Sequence, residues 1–240
     1  MTANPAVAIA THEDIRPHGR SALALEWLGR FHCEHPILDV GCAWGYVTRR
    51  IPGNGPVVGV EFDSNFVREA KKRDARTAYV NASAWRLPFS AGTFRTGLLL
   101  DVLEHVESDA ACISELARVL APGGKLIISV PHDSWLPNIM DRGFRKGHRY
   151  YSLPRLQQLT SAYFRLVHVL RGGFWLNMTD RYFCAVADRI DRLAGQPHCR
   201  TFLRIFLDPI TDGEYRIPLG RMSHSLIGLL ERSGAARDGG

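Results

Sequence analysis

The stretch that most constrains this chain is ILDVGCAWGYVT, residues 37–48. Ile37, Leu38 and Val40 form a short apolar run that carries Asp39 and reaches two glycines, Gly41 and Gly45, before a sequence able to start a helix near Trp44. A strand that hands its chain to a nucleotide-binding turn has this order. Gly41 and Gly45 supply backbone that can approach a ligand closely or take a positive φ, and a helix N-terminus beside them would aim N–H groups into the same crevice. An adenosine-containing cofactor suits such a turn. A ligand-free strand, turn and helix is the plainer alternative, and the residues downstream decide between the two.

Those residues repeat the pattern. VVGVEF, residues 57–62, predicts a second strand ending in Glu61, about 20 residues after the first glycine, where an acid can accept from both hydroxyls of a ribose. Asp63 and Ser64 suit the cap of a helix over residues 65–73, and Phe62 could pack on an adenine or in the core. Residues 77–80 predict a third strand, 94–101 a fourth, 109–120 a helix stopped by Ala-Pro-Gly-Gly, and KLIISV, 125–130, a fifth strand. Residues 164–169 and 223–230 predict strands six and seven. Apolar strands interleaved with helices imply a doubly wound, mostly parallel seven-stranded α/β sheet, Rossmann-like and buried on both faces.

At 240 residues the expected organisation is a single domain over 1–240, with an N-terminal helix over 15–34 covering the cleft and a helical insertion over 172–213 before the last strand. No stretch approaches the roughly 18 to 20 apolar residues that span a bilayer. The N-terminal MTANPAVAIATHED does not read as a secretory signal, and five scattered cysteines without a CxxC suit free thiols in a cytoplasm. His32, Cys33 and His35 are too close together, with no second half-site, to predict a metal. The net charge of +6 lies wholly in the second half: residues 1–130 hold 14 basic and 14 acidic side chains, and 131–240 hold 16 and 10. No aromatic-and-basic stripe accompanies it, so nucleic acid is not the expected partner.

Taken in order, ILDVGCAWG, VVGVEFD, SAWRLPF, LLLDVLEHV and LARVLAPGGKLIISVP resemble the class I S-adenosylmethionine-dependent methyltransferases, and within them the group that includes the ubiquinone and menaquinone biosynthesis methyltransferases. The resemblance covers residues 37–131 and continues weakly through HRYYSLPRLQQL. It implies the seven-stranded fold with an antiparallel edge strand, and S-adenosyl-L-methionine as cofactor. It also implies roles by position: Asp39, Gly41, Cys42 and Gly45 around the methionine part, Glu61 on the ribose, Ser83 and Ala84 on the adenine with Trp85 beside them, and Asp101 near the sulfonium. Two departures stand out. Ala43 replaces a usual glycine, which is tolerable if its φ stays negative, and Ser83 replaces a usual aspartate.

The implied reaction needs a nucleophile held in line with the methyl carbon and sulfur, and a base when the acceptor is a hydroxyl. His105 after strand four and His132 after strand five are the candidates, with Glu104 as an orienting or structural acid. The loop 133–149 with its neighbours offers Trp135, Arg145, His148 and Tyr150 as acceptor-binding residues, aromatics for an apolar body and cations for an anionic group. In the insertion, Met178, Tyr182, Val186, Ile190 and Leu193 fall at helical spacing. A lid, a dimer face and peripheral membrane contact all remain open for it, as do monomer and homodimer. The expected function is methyl transfer to a small-molecule acceptor, at oxygen. The competitors are an oxidoreductase using a nicotinamide dinucleotide, against which Gly41 and Gly45 fail to fit GxGxxG, and a catalytically silent cofactor-binding protein.

Overall fold

The structure is a computed structural model. It describes residues 19–133, 148–173 and 223–234 continuously, with 186, 187, 189–191, 193, 213, 215 and 216 between them. In chain order its elements are α1 (Gly19–Arg30), β1 (Ile37–Val40), β2 (Val57–Glu61), α2 (Ser64–Arg73), β3 (Ala78–Asn81), β4 (Phe94–Leu100), α3 (Asp109–Val119), β5 (Leu120–Pro131), α4 (Leu153–Thr160), β6 (Phe164–Gly172) and β7 (Ser225–Arg232).

The strands form one sheet in the order β3-β2-β1-β4-β5-β7-β6. β1 runs parallel to both β2 and β4, and β4 parallel to β5. β7 is antiparallel to β5 and to β6, so the reversed strand lies one place inside the edge and β6 takes the edge itself. Because β1 has β2 on one side and β4 on the other, the crossovers leave in opposite directions there. That switch opens a crevice beyond the carboxyl ends of β1, β2, β4 and β5.

The alternation along β1 explains how both faces are filled. Leu38 and Val40 join Val60, Leu99, Leu126 and Ile128 in one cluster beneath α3, which adds Cys112, Ile113 and Leu116. Ile37 joins Leu98, Ile127, Ile227 and Leu229 on the other, where α1 packs Leu23, Trp27 and Leu28. Successive residues of a strand point to opposite faces, so a strand buried on both reads as a continuous apolar run.

The helices start where short polar side chains can satisfy free N–H groups. Asp63 accepts from the Asn65 N–H at 2.8 Å, and Ser108 from the Ala111 N–H at 3.2 Å. Each such cap contributes about 1 kcal/mol. The expected helix near Trp44 is absent. Residues 41–47 form turns, followed by a short 3₁₀ segment, Thr48–Arg50. Gly41, Ala43 and Gly45 all take positive φ, which keeps the turn out of right-handed helical geometry, while the Gly41 and Cys42 N–H groups donate to the Val60 carbonyl at 2.8 and 3.0 Å. In the insertion, Val186, Ile190 and Leu193 are exposed, while Trp175, Met178, Tyr182, Phe183 and Phe202 lie outside the described residues.

Candidate functional site

The crevice is built on the turn after β1. Gly41 has φ +79° and Gly45 φ +69°. A Cβ on Gly41 would collide with Cγ2 of Val102, and one on Gly45 with the Tyr79 hydroxyl. Ala43 has φ +46°, against the expectation of a negative value. A left-handed alanine costs about 1 kcal/mol. Here its N–H donates to Glu61 Oε2 at 3.0 Å, a charge-assisted bond that offsets the strain. Below the turn, Asp39 is buried and accepts from Thr48 Oγ1 at 2.7 Å. Burial pushes its carboxyl up to about 6, the Thr48 bond opposing and the Glu61 charge adding. Cys42 is buried, its thiol pushed far above the usual range by desolvation. It packs with Val67, Ala70 and Tyr79, so its side chain acts as a small apolar group there.

Glu61 organises the neighbouring strand end. Besides holding Ala43, it accepts from the Asp63 N–H through Oε1 at 2.9 Å. Each carboxylate oxygen can accept more than one bond, so the group retains capacity for ligand hydroxyls. Asn81, which drew no attention in the sequence, donates from Nδ2 to the carbonyls of Glu61 and Phe62 at 2.9 and 2.7 Å and so fixes the end of β2 from β3.

Next to Glu61, Phe62 is 71% exposed and Trp85 36%, their ring centroids 6.1 Å apart and tilted by 30°. Ala84 is buried. Ser83 Oγ is buried with no hydrogen-bond partner among the described residues. An unpaired buried hydroxyl is costly and calls for a partner. Exposed ring surface beside an orphaned hydroxyl fits a flat heterocycle bearing hydrogen-bonding groups.

At the mouth of β4, Asp101 takes φ +56° and both its oxygens are engaged, Oδ1 by Ser129 Oγ at 2.9 Å and Oδ2 by Arg20 Nη2 at 2.8 Å. Arg20 is a site residue that sequence reasoning missed, because α1 reaches Asp101 only once β4 and α1 are packed. Arg20 also donates to Ser225 Oγ at 3.3 Å, on β7. Tyr215, buried over Gly19, lies 3.5 Å from the same hydroxyl. Glu104 is buried, its Oε2 without a partner among the described residues. Burial first, then the charge of Asp101, pushes it up to about 8.

His105 is half-exposed, with Nε2 3.9 Å from Glu104 Oε1, beyond hydrogen-bond reach. Its ring meets that of His148 edge to face at 4.6 Å, and burial with the His148 charge lowers its pKa. The structure thus brings His105 and His148 together, though they are far apart in sequence. His132 is different. It is buried, and its Nδ1 lies 2.9 Å from Ser223 Oγ and 3.1 Å from the Ser223 carbonyl, tying the end of β5 to the segment entering β7. Tyr150 is buried, and Trp135 and Arg145 lie outside the described residues. Among the described residues no cluster of His, Cys, Asp and Glu could hold a metal ion, and no helix is long and apolar enough to cross a membrane.

Residues 38–128 match the family model described as a methyltransferase domain. The demethylmenaquinone methyltransferase of Beutenbergia cavernae is 33% identical over 94 residues, which cover 39% of this chain and 39% of that protein. The chain thus spans well under two thirds of the length of that relative. A putative sarcosine dimethylglycine methyltransferase from Galdieria sulphuraria has a similar fold, with a TM-score of 0.63 and 14% identity over 88% of this chain and 86% of that one. The magnesium protoporphyrin IX methyltransferase of Synechocystis PCC 6803, solved with bound SAH, matches with a TM-score of 0.58 and 15% identity over 89% and 82%. The matched stretch runs from β1 into β5 and contains the carboxyl ends of β1, β2, β3 and β4.

Proposed function

We propose that this chain, which resembles the class I S-adenosylmethionine-dependent methyltransferases and matches their methyltransferase domain over residues 38–128, transfers a methyl group to a small organic acceptor. The observation that carries this reading is Glu61. Its carboxylate is fixed at the end of β2 by two backbone N–H groups, beside an orphaned Ser83 hydroxyl and the exposed rings of Phe62 and Trp85. That arrangement suits a ribose on Glu61, an adenine against Ser83 and the rings, and an amino-acid chain along Gly41 to Gly45. When bound, S-adenosylmethionine supplies an electrophilic methyl group on a positively charged sulfur. Arg20, held beside Asp101, offers a cation to a carboxylate at the same mouth.

The acceptor would enter over β4 and β5. Relatives named for quinone and porphyrin substrates support a ring-bearing molecule. We assign methylation to a hydroxyl oxygen because His105 stands at this mouth with a lowered pKa, so that its ring is neutral at pH 7 and able to accept a proton. His148 orients it edge-on. His132, by contrast, spends Nδ1 on Ser223 and is better suited to closing the sheet end than to proton transfer. The insertion over 172–213 is a proposed acceptor-selecting lid, and free thiols at Cys33, Cys42 and Cys112 support a cytoplasmic setting.

Calorimetry with S-adenosylhomocysteine and with NADH separates the methyltransferase from the oxidoreductase. Tight binding of the first alone is expected. Glu61→Ala should then weaken that binding by about tenfold or more, since a charge-assisted hydrogen bond contributes about 1.5–3 kcal/mol. Unchanged affinity would remove the ribose assignment.

A further inference from the structure

The segment that carries Ser83, Ala84 and Trp85, between β3 and β4, makes one short bridge, Ser83 to Arg86, and no strand ladder. Something else must hold its shape. Two side chains of α3 do so. Glu115 and Arg118 stand one helical turn apart and meet as a fork, Arg118 Nε to Glu115 Oε2 at 2.8 Å and Nη2 to Oε1 at 2.7 Å. The same atoms reach across to the loop. Glu115 Oε1 accepts from the Leu87 N–H at 2.7 Å, while Arg118 donates to the Leu87 carbonyl at 3.0 Å and to the Phe89 carbonyl at 2.7 Å. Leu87 and Ala84 are buried in the cluster beneath α3, so the loop is gripped by polar bonds at one end and packed at the other.

An exposed ion pair within one helix would contribute little. This pair is different because its atoms satisfy three backbone groups of an irregular segment, and those groups lose partners if the fork is removed. The fork also holds the Glu115 carboxyl below the usual range and raises Arg118, so both stay charged at neutral pH.

We propose that Glu115 and Arg118 are positioning residues that set purine selectivity: from α3 they pre-organise the 82–89 loop so that Ser83 and its neighbours meet the amino-bearing edge of an adenine and reject a 6-oxopurine. The proposal rests on the methyltransferase reading. It explains why two charged residues of α3 are bound to loop backbone rather than left to solvent. A pre-formed loop loses less freedom when the ligand arrives, and a loosened one can adjust to either purine edge.

The test is calorimetry of the full chain with S-adenosylhomocysteine and S-inosylhomocysteine, on wild type, Arg118→Ala, Arg118→Lys and Glu115→Gln. Wild type should prefer the adenine ligand by about tenfold or more. Arg118→Ala should lose most of that preference and bind S-adenosylhomocysteine about tenfold more weakly. Arg118→Lys, with one donor group in place of a fork, should fall between. Glu115→Gln keeps an acceptor for the Leu87 N–H but puts a donor where Oε2 met Arg118 Nε, and should retain more of the preference than Arg118→Lys. If Arg118→Ala does not fold, Arg118→Lys against Glu115→Gln carries the comparison. An Arg118 variant that melts lower yet keeps the wild-type preference would overturn the proposal, as would a wild type that binds both ligands equally. Wild type that binds neither would overturn the methyltransferase reading itself.

Discussion

Two ends of one crevice use acidic side chains in opposite ways. Beside β1 and β2, Asp39 is met by Thr48 and Glu61 by the N–H groups of Ala43 and Asp63, so each carboxyl is pinned by residues a short way off in sequence. At the mouth of β4, Asp101 is pinned from Ser129 and Arg20, on other elements, while Glu104 keeps a buried oxygen without a partner among the described residues and His105 stands beyond hydrogen-bond reach of it. The first end is a rigid socket. The second retains unspent hydrogen-bonding capacity, which is what a site that must meet a variable acceptor and move a proton requires.

Breaking the rigid end should cost most. Gly41→Ala adds a methyl group that collides with Val102 and asks a residue at φ +79° to carry a Cβ. A side chain in that region is strained whatever the space around it. S-adenosylhomocysteine affinity should fall by about a hundredfold or more, the combined strain and displacement amounting to roughly 3 kcal/mol. Calorimetry returning an affinity within threefold of wild type would show that the turn adapts, and that the contrast between the two ends is not one of rigidity.

The second end should respond in rate rather than in cofactor affinity. His105→Ala removes the proposed base and should lower turnover by about a hundredfold while S-adenosylhomocysteine binding stays within a factor of two. The wild-type rate should rise with pH through the histidine's lowered pKa and then level, since the neutral ring is the active form. Loss of that rise in the variant supports the assignment. Equal turnover and the same profile in both proteins would assign the proton to another group.

The same contrast governs what the sequence disclosed. The succession of strands along the chain and their burial on both faces were legible because β1, β2, β4 and β5 are short apolar runs, and the glycines and Glu61 fall at strand ends fixed by that pattern, whereas the place of the reversed strand inside the edge was not. Ala43 was misjudged because its φ depends on a bond to Glu61, 18 residues on. Arg20, Ser129 and the His105–His148 contact were illegible for a related reason. They arise from packing between elements 28 to 81 residues apart, for which no local spacing exists. His132 is the reverse case. Its place after β5 suggested chemistry, and only the return of the chain into β7 reveals Ser223 as its partner.

The smallest effect should be the most diagnostic of the unpartnered acid. Glu104 titrates near 8 in the folded protein, against about 4.5 when unfolded, because burial and the charge of Asp101 both disfavour the carboxylate. The folded state therefore holds a proton that the unfolded chain has released across the window from about 4.5 to 8. The stability contributed by the protonated form is complete below that window and is lost as pH rises through 8. Glu104→Gln mimics the protonated carboxyl at every pH. Its melting temperature should match that of wild type near pH 4 and exceed it increasingly as pH rises to about 8, the gap then holding level to pH 9. Asp39→Asn offers the control at the rigid end. Asp39 already accepts from Thr48 and lies only near 6, so its advantage should be complete by about pH 7 and should not grow between 7 and 9. If the two variants shift in parallel up to pH 9, the β4 mouth holds its acid no differently from the β1 turn, and the unpartnered oxygen of Glu104 has no energetic meaning.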